Sequence, residues 1–137
     1  MLRLQITSKH DTYDLVLQSK VTCIVGMSGT QKTQMVKRIF ENNPAIKKII
    51  SDISFAPVYL TESTWLNAME ALDKKCIYFV DDEDFIFQPE FIRLYNANTT
   101  SYFVFINRIG AGISYDASDI YILGNDDGLH RLQQKIR

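Results

Sequence analysis

Three stretches of this chain are apolar almost without interruption: Val21–Val25 (VTCIV), 76–80 (CIYFV) and Tyr102–Ile106 (YFVFI). A strand with one face in water alternates apolar and polar residues, because successive side chains point to opposite faces. Runs without that alternation need cover on both faces, the usual situation of a parallel strand inside an α/β sheet. Whatever this chain folds into must therefore supply material for two covering layers.

The segments between these runs offer helices for that purpose. Met35, Val36, Ile39 and Phe40 fall at helical spacing in 31–41, Trp65, Leu66, Met69 and Leu72 in 61–74, and Phe91, Ile92 and Tyr95 in 89–96 behind Pro89. Segments 45–50 and 56–60 read as short strands, and Ile120–Leu123 as a fourth buried strand. The turn 124–128 then leads into a short C-terminal helix. At the N-terminus, Leu2, Leu4 and Ile6, then Tyr13, Leu15 and Leu17, alternate with other residues as two half-buried strands joined by a polar turn at 7–11. Strands alternating with helices imply crossover connections. The expected fold is α/β: three layers, a mainly parallel sheet between helices, and an added N-terminal β-hairpin at its edge. A length of 137 residues with 46% hydrophobic composition suits one domain over 1–137.

Chemistry is concentrated at the ends of the apolar runs. After Val25 come Gly26, Met27, Ser28, Gly29, Thr30, Gln31, Lys32 and Thr33, and then a helix. Loop N–H groups and the positive helix end would face a phosphate chain there, with Lys32 on the β- and γ-phosphates and the Thr33 hydroxyl on Mg²⁺. The segment resembles the Walker A motif of the P-loop NTPase superfamily. It departs from that motif at Gln31, where a glycine is expected so that no Cβ crowds the phosphates.

Magnesium beside a phosphate is held by the loop hydroxyl and by an acid at the end of a neighbouring strand. Asp81, Asp82, Glu83 and Asp84 follow the run CIYFV in that place. This ending resembles the Walker B motif of the additional-strand branch that carries a catalytic glutamate. Two registers stay open. Asp81 holds the metal side with Asp82 activating water, or Asp82 holds the metal side with Glu83 activating water; the second has the usual Asp-Glu order and the longer reach. Asn107, which closes the run YFVFI, resembles the polar sensor residue of such folds. Arg108 lies beside it, in reach of a γ-phosphate or of the acids.

The resemblance spans 21–123 and extends to short bacterial P-loop-like proteins. It implies ATP or GTP with Mg²⁺ as cofactor and slow or partner-dependent hydrolysis, with a protein partner or a second copy supplying an arginine in trans. The alternative is a degenerate, non-catalytic module with a regulatory or protein-interaction role, which Gln31 favours.

Other chemistries find little support. Fifteen basic and 16 acidic residues give a net charge of −1 without a basic run, so nucleic acid is not indicated as a partner. Cys23 and Cys76 lie inside apolar runs and read as core residues. His10 and His130 have no metal-ligand spacing with cysteine. No stretch approaches the ~18 apolar residues of a membrane span, and no leader-like segment stands at the N-terminus, so a cytoplasmic setting without a membrane partner is expected.

Overall fold

The computed structural model describes residues 1–26 and 30–134. Its strands are β1 (Leu2–Thr7), β2 (Thr12–Leu17), β3 (Val21–Val25), β4 (Lys47–Ile50), β5 (Ala56–Tyr59), β6 (Cys76–Asp81), β7 (Tyr102–Ile106), β8 (Ile120–Leu123) and β9 (Leu129–Gln134). The helices are α1 (Thr30–Phe40), α2 (Trp65–Met69) and α3 (Pro89–Ala97).

The three-layer, mainly parallel α/β fold expected from the sequence is not what forms. All nine strands join one sheet in the order β4-β1-β2-β9-β8-β3-β7-β6-β5. The sheet is mixed and strongly curled into a half-barrel, and only 24% of the residues are helical, too few to cover both faces. β3, β6, β7 and β8 do run parallel to one another, with β5 beside β6. β1 pairs antiparallel with both β2 and β4, and β9 pairs antiparallel with β8.

Strand β9 is the main reason for the difference. The segment expected to be a C-terminal helix instead returns as a hairpin strand, because Asp127 and Gly128 both take positive φ, 55° and 88°. That is the two-residue turn that Asp-Gly favours. Asp126 and Leu129 bridge across it with hydrogen bonds of 2.8 and 3.1 Å. Once formed, β9 also pairs parallel with β2 through Thr12↔Leu129 and Asp14↔Arg131. The N-terminal hairpin is thereby drawn into the sheet, with β4 rather than the hairpin at that edge.

A second correction concerns α2, which covers only Trp65–Met69 of the expected 61–74. The carbonyls of Leu72 and Lys74 accept hydrogen bonds from the hydroxyls of Thr100 and Ser101 at 2.9–3.2 Å, and the Leu72 N–H turns back to Glu70. Those groups are thus diverted from a helical ladder.

The central strands are buried on both faces, as their composition requires. On one side Tyr78, Phe103 and Phe105 pack against Trp65 of α2, Phe91 of α3 and Phe85 from the 3₁₀ turn Asp84–Phe87. On the other, Phe79, Val104 and Ile106 meet Met35 and Ile39 of α1, together with Leu4, Leu15 and Leu17 of the hairpin. The second cover is thus one helix plus the sheet itself, curled over it.

Candidate functional site

Strands β3, β7 and β6 end level with one another. Ile24 pairs with Ile106, and Ile106 with Asp81. Asn107 and Asp82 each add one more hydrogen bond, to the carbonyls of Ile24 (2.8 Å) and Ile106 (3.1 Å). Both then turn the chain with φ of 74° and 55°, in the left-handed region that Asn and Asp tolerate better than other non-glycine residues. Parallel strands present their C-terminal ends together, so the chemistry carried at these ends converges on one edge.

Lys32, in the first turn of α1, is only 4% exposed. Its Nζ donates to the carbonyl oxygen of Gly26 at 3.2 Å, which brings the ammonium over the end of β3. Gly26 has φ +155°, and a Cβ there would stand 3.3 Å from that Nζ. The missing side chain therefore lets the ammonium pack directly against the backbone turn. Gln31 is half-buried and Thr33 exposed in the same helical turn, and Thr30 opens the helix. Ser28 and Gly29 lie outside the described residues.

Burial pushes the Asp81 carboxyl above its ordinary value, the negative charge of Asp82 adds to this, and the Lys32 ammonium opposes it. Asp81 is thus the acid that feels Lys32. On β5, Tyr59 has its phenol raised by burial first and then by the charges of Asp81 and Glu83. Tyr59 also packs on Phe40 of α1, ring centres 5.5 Å apart. Asp81 thus interacts by charge with Lys32, Asp82 and Tyr59, and Tyr59 also with Glu83.

Asp82 and Asp84 both meet Arg108. Arg108 donates through Nε to the Asp82 carboxylate and through Nη2 to Asp84 Oδ1 at 2.7 Å and the Asp82 carbonyl at 3.3 Å. Its guanidinium also lies 5.3 Å from the centre of the Phe87 ring. These hydrogen bonds, Asp84's first, hold the guanidinium above its ordinary value. Arg108 thereby offsets part of the repulsion among the four consecutive acids, while the Asp82 charge still acts on Asp81. Asn107 is exposed at the same edge.

The donor set suits a phosphate: a buried ammonium, a glycine turn and a helix start. Among the described residues no three ligating side chains converge. A metal here would share its coordination between Asp81, the Thr33 hydroxyl and a phosphate, which is the manner of Mg²⁺ rather than of a caged ion. Sequence reasoning missed Tyr59, because a tyrosine closing a short edge strand carries no local signal of what its hydroxyl faces. No known protein family, curated protein or solved structure matches this chain.

Proposed function

We propose that the sheet edge around Lys32 binds the phosphate chain of ATP or GTP together with Mg²⁺, with slow or partner-dependent hydrolysis. The observation that carries this reading is the burial of Lys32 against the Gly26 carbonyl, beside a glycine with no Cβ and facing Asp81. A lysine ammonium next to a glycine turn at a strand-to-helix junction is the kind of group that binds phosphate oxygens.

In this reading Lys32 binds the phosphate oxygens and Asp81, with Thr33, is the metal side. Bound Mg²⁺ would neutralise phosphate charge. Glu83, whose charge reaches Tyr59 as that of Asp81 does, orients and deprotonates water, while Asp82 is engaged with Arg108. The metal-side acid is therefore Asp81, with the water-side acid two residues on.

The same Arg108 contacts favour a second reading, a non-catalytic regulatory module. With Asp82 and Asp84 held in ion pairs, only Asp81 and Glu83 remain for chemistry, and Gln31 occupies a position where glycine eases phosphate approach. Thermal unfolding with and without Mg·ATP or Mg·GTP tests the proposal. Ligand at 100 times its Kd adds about 2.7 kcal/mol of stability. Phosphate release then separates the readings: binding with turnover supports the first, binding alone the second, and no nucleotide-dependent shift removes the first.

A further inference from the structure

A second polar cluster lies at the other end of the sheet. β8 runs parallel to β3 and β9 antiparallel to β8, so β9 and its parallel neighbour β2 finish where β3 begins. Pairing between β2 and β9 stops at Asp14↔Arg131. Beyond that point β2 stays with β1 as far as Leu2↔Leu17, and β9 stays with β8 as far as Tyr121↔Gln134. The strands fork, and the fork holds a depression of about 320 Å³ whose lining includes Val16, Leu132, Tyr121 and Gln18.

Its charge is unbalanced. Asp14, 7% exposed, receives both hydrogen bonds of the Arg3 fork, from Nε at 2.9 Å and Nη2 at 2.8 Å. Arg131, opposite Asp14 across the ladder, also lines the depression, and among the described residues it makes no hydrogen bond or ion pair through its side chain. Arg131 acts on the Asp14 carboxylate by charge, so two guanidinium groups share one carboxylate that Arg3 alone hydrogen-bonds. The walls combine a cation with donors to spare, an amide at Gln18 and apolar surface on Val16 and Leu132. Pockets for small molecules combine an apolar lining with few, placed polar groups, and this volume is at the small end of their range.

We propose that this fork binds a small organic anion, with its carboxylate or phosphate on Arg131 and its apolar body between Val16 and Leu132. The site is separate from the Lys32 edge and does not depend on the function proposed there. Guanidinium suits either anionic group through paired N–H donors.

Amide-resolved NMR titration with phenyl phosphate, benzoate and inorganic phosphate tests it. Expected are saturable shifts in 14–18 and 131–132 with phenyl phosphate or benzoate, weakened about tenfold or more in Arg131→Ala. Gln18→Glu, which adds a negative charge at the exposed rim, also weakens them. Lys32→Ala leaves them intact, and the stronger of the two organic probes identifies the headgroup. Thermal melts confirm that the variants are folded. Absence of saturation, shifts indifferent to Arg131→Ala, shifts lost in Lys32→Ala, or inorganic phosphate binding as tightly as phenyl phosphate would each overturn the proposal.

Discussion

The Nζ of Lys32 lies 3.2 Å from the carbonyl oxygen of Gly26, and a Cβ on Gly26 would approach the same nitrogen to 3.3 Å at a φ of +155°. Gly26→Ala therefore meets both a strained backbone and a crowded ammonium. It should destabilise the protein by about 1 kcal/mol or more and weaken Mg·nucleotide binding as Lys32 is displaced. Denaturant midpoints and calorimetric titration measure the two effects. A variant as stable and as tight-binding as the parent would mean that the Gly26 turn does not shape the site.

Lys32 and Glu83 should separate binding from turnover. The ammonium attracts a phosphate chain in ground and transition states alike, so Lys32→Ala should chiefly abolish affinity. Glu83→Gln keeps the side chain's shape and removes its charge. Nucleotide binding should survive that change while phosphate release falls by about 10²–10⁴, the range for a positioned acid or base. Equal turnover in parent and Glu83→Gln would exclude Glu83 as the water-side acid.

The curled hairpin predicts a stability effect far from this edge. Leu4 is fully buried with Met35, Ile39 and Phe79 in the cluster beneath α1. Leu4→Ala should cost about 2–5 kcal/mol, the range for core leucines, measurable by chemical denaturation. An appended edge hairpin would tolerate the change with little loss. That outcome would show that α1 alone is sufficient cover.

The central strands could be read from the chain because their demand is local: β3, β6 and β7 lack alternation, and any fold must bury both of their faces. The strand-glycine-helix order around Gly26 and the acids after Val80 were legible for the same reason. What covers the strands was not. Alternation in Leu2–Thr7 says that one face of β1 is buried, but not that it closes over α1. The turn that decides this, Asp127-Gly128, is an ordinary hairpin signal, and Leu129, Leu132 and the polar residues between them fit a helix or a strand equally well. The surroundings of the acids depend on side chains distant in sequence, Arg108 and Tyr59, whose approach follows from the order of β5, β6 and β7.

Asp81 and Asp82 differ in a way that pH should expose. The Asp81 carboxyl sits above its ordinary value because of burial and the adjacent Asp82 charge, against the pull of Lys32. Its folded form holds the proton more tightly than the unfolded chain does. This group's contribution to stability is thus greatest below the ordinary aspartate range and declines as pH rises through the raised folded value. Asp81→Asn removes that decline, so it should melt higher than the parent at neutral pH, with the gain disappearing at strongly acid pH. The same substitution should lower nucleotide affinity in Mg²⁺ while changing it little in EDTA. Asp82→Asn, which loses its charged contact with Arg108, should leave the Mg²⁺ dependence of binding in place. Melting curves across acid to neutral pH, with parallel titrations in Mg²⁺ and EDTA, read both effects. An Asp81→Asn protein less stable than the parent at neutral pH would mean that attraction to Lys32 outweighs burial. Loss of Mg²⁺ dependence in Asp82→Asn alone would return the metal side to Asp82.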